Sequence, residues 1–320
     1  YCRPVCPARP AAEKNVSYFR SAARAARAGF RPCLRCRPES APDSPAWNGT
    51  STTVQRALQL IQQGVLNDGK LPQLAQRLGI GERYLRKLFE RELGVSPQAV
   101  ALNQRLLFAR KLLMETRLPV TQVAFAAGFG SVRRFNGAMR GQLQTSPSDL
   151  RRGNRSTAKT TVVELQLQYR PPLDWEMMAD FFRRHAIEGV EQVGDGHYER
   201  NLLVDGNPGR FRVEPQRGRD ALRLRVEIAD NSQLMPLVAR VRRMFDLDAN
   251  PRAIAAALGR DPLLATAIAE TPGLRCPGYG SLYEASVRGV VGQQVSTLAA
   301  RAVLAGMAQA TARDHPPTAP

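Results

Sequence analysis

At 320 residues, with 43% hydrophobic and 23% charged side chains, the chain is long enough for two or three domains, each with its own core. It has no run of about eighteen or more uncharged apolar residues, so no helical membrane span is expected, and the setting read from composition is cytoplasmic with no membrane partner. The formal net charge of +18 is confined to one half: residues 1–160 hold 27 Lys/Arg against 9 Asp/Glu, and residues 161–320 hold 19 against 19. A basic half joined to a neutral half excludes a uniform charge bias and indicates a polyanion-binding module, with nucleic acid the abundant candidate.

The chain opens on Tyr1, inside a motif, and reads as a piece of a longer protein. Four of its five cysteines then fall as two close pairs, Cys2 with Cys6 and Cys33 with Cys36, separated by 26 residues. Each short pair can wrap one edge of a tetrahedron, the layout of a Zn(Cys)4 site. Two disulfides are the alternative, disfavoured in a cytosolic DNA binder whose neighbouring arginines favour thiolates. Taken alone, the set reads more readily as a purely structural zinc knuckle than as a reactive site. Cys276, beside Pro277 and Gly278, reads as an ordinary half-buried thiol. A linker rich in Pro, Ser, Asn and Gly follows from Ser40 to Gly49.

The segment Tyr1-Cys2-Arg3-Pro4-Val5-Cys6, with Asn15 to Phe19 and Ala28-Gly29-Phe30-Arg31-Pro32-Cys33-Leu34-Arg35-Cys36, resembles the zinc domain of the Ada family of bacterial adaptive-response proteins. That resemblance implies Zn held by Cys2, Cys6, Cys33 and Cys36, with Cys2 accepting a methyl group from a methylated DNA phosphate. The family's domain starts some tens of residues earlier. The chemistry suits the ligand set, because four thiolates around one Zn²⁺ carry net negative charge and leave a ligand sulfur nucleophilic. Methylation of Cys2 removes one negative charge. Next to a phosphate that is worth ~1 kcal/mol at 4 Å in water and ~4 at an effective dielectric of 20, so methylation is expected to tighten DNA binding.

From Thr50 to about Leu150 apolar residues recur at helical spacing. Leu71 to Phe89 has the layout of helix, turn and recognition helix, with Ala75 where the helices cross and Gly79 in the turn. Arg83, Arg86 and Lys87 are expected outward, opposite Tyr84, Leu85 and Leu88. The pattern returns 49 to 50 residues later in Ala124, Gly128, Phe129, Phe135, Met139 and Ser146-Pro147, and Gln98–Glu115 reads as one connecting helix. Arg133 and Arg134 serve the second motif, whose Gln144 stands where the first has Gly94. Paired motifs of this kind resemble the AraC-type transcription activators. The resemblance implies two recognition helices in successive major grooves of double-stranded DNA, and RNA polymerase as a partner.

A polar stretch from Arg151 to Thr160 precedes a change of period. Val162–Tyr169, His197–Val204, Arg210–Val213 and Ala221–Ile228 read as strands, Trp175–His185 and Leu234–Phe245 as helices, and everything beyond Asn250 as helix. Trp175 reads as core, and none of the three histidines has ligand spacing. Tyr169 to Trp175, Arg243 to Asp248, Pro272 to Gly278 and above all Val287 to Ser296 resemble the alkyladenine (3-methyladenine) DNA glycosylases of the helix-hairpin-helix superfamily. By that resemblance the Gly292-Gln293-Gln294-Val295-Ser296 turn meets the minor groove at the flipped base, placing Gln293 and Gln294 at the lesion in alkylated DNA. The family's hairpin and catalytic Asp are expected beyond residue 320, so residues 161–320 alone are expected not to excise 3-methyladenine. Asp246, Asp248 and Asp261 do not stand in the right context to replace that Asp. No Pro-Cys-His-Arg motif for a second methyl acceptor is present.

The expected architecture is multidomain and mainly α: a zinc domain at 1–38, an all-α double helix-turn-helix domain at 50–152, an α+β sheet domain at 161–245 and the start of a helical glycosylase domain at 246–320. Two functional readings remain at this point. One is an alkylation-response protein combining methyl acceptor, activator and base-excision glycosylase. The other is a non-enzymatic AraC-type regulator with a structural zinc site and a sensing or dimerisation tail, which has no use for the Gly-Gln-Gln-Val-Ser segment.

Overall fold

The computed structural model describes residues 1–2, 11–19, 22–31, 33, 52–67, 70–151, 162–204 and 206–314. Two compact units result: residues 1–158 with 231–239, and residues 159–230 with 240–320.

The first unit is helical: α1 (Ala22–Arg27), α2 (Thr52–Gln62), α3 (Leu71–Arg77), α4 (Glu82–Leu93), α5 (Pro97–Glu115), α6 (Val120–Ala126), α7 (Val132–Leu143) and α8 (Pro147–Leu150). Val54, Ala57, Leu58 and Ile61 of α2 close one core with Leu74 and Ala75 of α3, Leu85, Leu88, Phe89 and Leu93 of α4, and Val100 and Ala101 of α5. Further along α5, Leu106, Ala109, Leu112 and Leu113 are buried, as are Val123 and Ala124 of α6 and Phe135 and Met139 of α7. The long helix thus serves both motifs, which is why its apolar residues do not keep to one stripe.

The second unit is built on an antiparallel sheet of β1 (Val162–Gln168), β2 (Glu191–Gly194), β3 (His197–Val204), β4 (Asn207–Pro215) and β5 (Ala221–Glu227), in the order β1-β5-β4-β3-β2. Alternate residues face inward, among them Val163, Leu165, Leu167, Leu222, Leu224, Val226, Phe211, Val213 and Tyr198. They meet α9 (Trp175–His185), whose first turn is capped by Asp174 Oδ1 accepting from Met177 N at 3.0 Å. Phe182, Tyr198 and Phe245 form an aromatic cluster with centroids 4.7 to 5.5 Å apart, and Trp175, buried as expected, stacks on Phe245. The outer face is ionic: Arg210 pairs with Glu227, Arg212 with Glu199, Arg223 with Glu214 and Arg225 with Glu164, at 2.8 to 3.2 Å. α10 (Leu234–Met244) is divided, its residues 234–239 grouping with the first unit, and α11 (Pro251–Leu258), α12 (Pro262–Glu270), α13 (Leu282–Val291) and α14 (Thr297–Asp314) belong to the second.

Three expectations change. Strand β2 was not read from sequence, because Glu191-Gln192-Val193-Gly194 has a single apolar side chain and no alternation; only the Asp195-Gly196 turn hinted at a hairpin. The region beyond Asn250 is not all helix: residues 271–281 form a connection rich in Pro and Gly, held by Arg275. That buried guanidinium donates to the carbonyls of Asp246 (3.0 Å), Pro172 (2.9 Å) and Arg170. Cys276 is exposed, not half-buried, because its inward neighbour Arg275 turns it to the surface while its N–H donates to Asp246 Oδ2 at 3.2 Å.

Candidate nucleic-acid interface and metal segment

The two helix-turn-helix motifs share their backbone chemistry. Gly79 and Gly128 sit at φ +68° and +78°, and the following N–H in each case closes on the small residue of the preceding helix, Ile80 on Ala75 O (3.1 Å) and Phe129 on Ala124 O (3.0 Å). After each recognition helix a serine caps the next one: Ser96 Oγ accepts from Ala99 N at 3.2 Å and Ser146 Oγ from Asp149 N at 3.1 Å, with Pro97 and Pro147 at the first helical position. α4 stops on Gly94 at φ +70°, and α7 on Gln144, which takes the same left-handed conformation at φ +50°.

Arg83, Arg86 and Lys87 of α4 and Arg133 and Arg134 of α7 are all exposed, on helices whose Leu85, Leu88, Phe89, Phe135 and Met139 are buried. Tyr84 departs from expectation: it is 52% exposed, because the buried arc of α4 is centred on Leu85, Leu88 and Phe89 and position 84 lies beyond its edge. Arg86 is tied within its own helix, Nε donating to Glu82 Oε1 at 3.1 Å. Two further side chains were missed. Arg140 is exposed seven residues after Arg133, hence on the same side of α7, a spacing legible in the sequence. Arg105 of α5 donates to Gly128 O at 3.2 Å and lies 4.9 Å over Phe129, supporting the second turn from the connecting helix; no sequence pattern announces that contact.

In the cysteine segment the backbone brings Tyr1 and Cys2 beside Arg31 and Cys33. Cys33 N donates to Tyr1 O at 2.8 Å, and the Tyr1 amino group donates to Arg31 O. Cys2 is exposed and Cys33 half-buried, while Cys6 and Cys36 lie outside the described residues. Phe19 and Phe30 meet edge to face at 5.2 Å. The segment reaches the stops of both recognition helices: Arg27 Nη1 donates to Gly94 O at 3.4 Å and Arg31 Nη2 to Leu143 O at 3.2 Å.

In the second unit Gln293 and Gln294 are exposed in the turn joining α13 and α14. Behind α13 lies a buried ionic group. Glu191 accepts from Arg200 (2.9 Å), Tyr198 and Arg288, and Glu284 accepts from Arg200 (2.7 Å) and Arg288 (2.9 Å). Burial, and then the adjacent Glu191, push the Tyr198 hydroxyl far above its ordinary pKa, so it stays a donor. The three aspartates set aside above each have structural work: Asp246 holds Cys276 N, Asp248 accepts from Arg242 Nε at 3.0 Å, and Asp261 caps α12 through Leu263 N at 2.9 Å.

Residues 1–39 match the metal binding domain of Ada, residues 74–153 a helix-turn-helix domain, and residues 164–281 the AlkA N-terminal domain. The probable bifunctional transcriptional activator/DNA repair enzyme AlkA of Mycobacterium tuberculosis (strain H37Rv) is 41% identical over 305 residues, covering 94% of this chain and 61% of that protein. DNA-3-methyladenine glycosylase 2 of Escherichia coli K12 is 34% identical over 143 residues, 45% of this chain and 49% of that one. The bifunctional transcriptional activator/DNA repair enzyme Ada of the same organism is 36% identical over 99 residues, 31% of this chain and 27% of that protein. The chain therefore spans about three fifths of the length of the first of these relatives. Among the described residues no helix is long and apolar enough to cross a membrane.

Proposed function

From a chain homologous to both the Ada and AlkA repair proteins, we propose an alkylation-response protein that repairs DNA and, having done so, activates transcription. The observation that carries this reading is the presence, in one chain and in one order, of a metal-binding Ada match, an AraC-like pair of helix-turn-helix motifs and an AlkA match, with a bifunctional relative aligned across 94% of it.

In this reading Cys2, Cys6, Cys33 and Cys36 hold Zn²⁺, which when bound keeps the sulfurs as thiolates at neutral pH. The backbone hydrogen bonds of Tyr1 with Arg31 and Cys33 fit that assignment, since they hold together the stretches that carry one cysteine of each close pair. Cys2, which is exposed, is the acceptor. Its sulfur forms a bond to the methyl carbon of a neutral methylphosphotriester, the carbon–oxygen bond breaks, and the electron pair leaves on the phosphate as an ordinary phosphodiester. The thioether formed is not readily reversed, so each chain turns over once. Arg83, Arg86, Lys87, Arg133 and Arg134 contact double-stranded DNA from α4 and α7, some reading bases and the rest phosphates, and RNA polymerase is the partner of the activator. Gln293 and Gln294 belong to the glycosylase function, at the minor groove beside an alkylated base. The setting proposed is the cytoplasm, with the chromosome.

The deciding experiment is incubation with methylphosphotriester DNA followed by peptide mass mapping, alongside elemental analysis. The mass of one added methyl group should fall on the peptide holding Cys2 alone, in protein carrying close to one zinc per chain. A methyl group on Cys6 or Cys36, or metal content unchanged by Cys33→Ser, would refute the assignment.

A further inference from the structure

Two arginines straddle the exposed turn between α13 and α14 and end on consecutive carbonyls. Arg288, in the last turn of α13, donates from Nη1 to His185 O at 2.7 Å; Arg301, near the start of α14, donates from Nε to Ala186 O at 2.8 Å. His185 is the last residue of α9 and Ala186 its C-cap, with ψ 135°, at the end where a helix leaves its last C=O groups without intrahelical partners and carries the negative end of its dipole. Each guanidinium therefore donates at the C-terminal end of α9, where the helix dipole favours a cation.

Arg288 is further fixed. Its side chain is only 7% exposed, it pairs with Glu191 and with Glu284, and its guanidinium lies 4.8 Å over the Tyr279 ring. Between the two anchors, every residue from 292 to 299 is exposed. A segment with no buried side chain has little of its own to select one conformation beyond the Ser296 hydroxyl, which accepts from Ala299 N at 3.2 Å, so most of its geometry is inherited from the flanking helices. Apolar packing alone would let those helices slide and rotate, whereas directed bonds to fixed carbonyls do not. Buried ion pairs add little net stability compared with well-packed apolar groups, so orientation is the better account of why charges are spent here.

We propose that Arg301, acting with Arg288, is a positioning residue that uses the C-terminus of α9 as the fixed point for the Gly292–Ser296 turn, so that Gln293 and Gln294 are presented to DNA in one geometry. This rests on the glycosylase reading of that turn. Arg301 acts through the turn and does not itself touch DNA.

The test uses the full chain, with Arg301→Ala and Arg301→Lys. One readout is amide hydrogen exchange across residues 290–299. The other is the ratio of affinities for a duplex with a single abasic-site analogue and for the same duplex undamaged. Slow amide exchange in β3, β4 and β5 of the same unit reports that each variant is folded, and affinity for a selected operator, carried by α4 and α7 in the other unit, serves as the unaffected reference. Arg301→Ala should speed exchange across the turn roughly tenfold, as expected for loss of a charged hydrogen bond, and remove most of the preference for the abasic site, with operator affinity unchanged. Arg301→Lys, which retains a donor, should recover part of both. Unchanged exchange in Arg301→Ala would overturn the proposal, as would altered exchange with an intact preference. A wild-type chain with no preference for the abasic site would instead overturn the glycosylase reading beneath it, and the positioning role with it.

Discussion

Gln144 does in the second motif what Gly94 does in the first, and at a cost. A side chain in the left-handed region is disfavoured by ~1–2 kcal/mol, partly offset by the greater chain entropy that glycine loses on folding. Gln144→Gly should therefore stabilise the helical unit by about 0.5 kcal/mol in urea unfolding, while Gly94→Ala should destabilise it by more than 1. At Gly94 the added carbon would also collide with the Arg24 guanidinium. If the two changes had the same sign, the matching of the two stops would be superficial. Asp246 offers a second residue-scale outcome. Burial, the largest influence, holds its carboxyl above the ordinary value of 3.8. The folded state thus binds the proton more tightly than the unfolded chain does, and stability falls as pH rises from the unfolded value through the folded one. Asp246→Asn keeps an acceptor for Cys276 N, suits the φ of +49°, and carries no charge to bury. Its melting temperature should exceed the parent's at pH 7, and the gap should close below pH 3.8.

At the scale of the element, α7 carries a weakness that α4 does not. Gly137 stands in the middle of α7, where α4 has Lys87, and an added Cβ there would meet nothing within 4 Å. Gly137→Ala should stabilise the unit by ~0.5–1 kcal/mol on helix propensity alone. Should α7 lie close against DNA, the same change should weaken operator binding, so stability and affinity would move in opposite directions; a gain in both would place Gly137 away from the interface. The elements most legible in the sequence were those with strong local rules. The motif repeat, its turn glycines and its Ser-Pro caps could be read residue by residue, because each is set by a few neighbouring positions. The sheet was read in four of its five strands, and β2 escaped because its place at the sheet edge is set by pairing with β3, a tertiary fact. The contact of Arg105 with Gly128, the hold of Arg275 on two chain segments, residues 170–172 and 246–249, and the Glu191 group are long-range, and nothing local in their sequences marks them. Among the candidate site residues, which side chains stand outward could be anticipated from helical period; that Arg86 is tied to Glu82 could have been, since the two are four residues apart.

Over the whole molecule, charge is arranged so that only part of it is available to DNA. Arg210, Arg223 and Arg225 on the outer face of the sheet are exposed, as the arginines of the recognition helices are, yet each is set against a glutamate on a neighbouring strand, Arg210 against Glu227, Arg223 against Glu214 and Arg225 against Glu164. Exposed pairs of this kind contribute little stability, but they leave no net field to attract phosphate. Arg83, Lys87, Arg133 and Arg134 stand instead in the half of the chain where basic residues outnumber acidic ones 27 to 9. Binding to an operator duplex should accordingly be steeply dependent on salt. With about six phosphates neutralised, log K against log salt should fall with a slope of roughly −5. Replacing Arg83 or Arg133 by Ala should make that slope shallower by ~1 if the side chain meets phosphate. If it reads a base, the preferred sequence should change at one position, with the cost concentrated there. Arg86 adds a third possibility, because freeing it with Glu82→Gln tells whether the pair withholds the guanidinium from DNA or aims it: tighter binding to all sequences means withheld, and loss of preference at one base means aimed. Arg210→Ala and Arg223→Ala serve as the contrast. Each removes a positive charge from the same chain, so a response to overall charge would shift the slope equally, whereas a local one leaves it where it was. A slope that fell with Arg210→Ala as much as with Arg83→Ala would mean that the basic excess acts as a diffuse field, and that the two recognition helices are not where DNA is held.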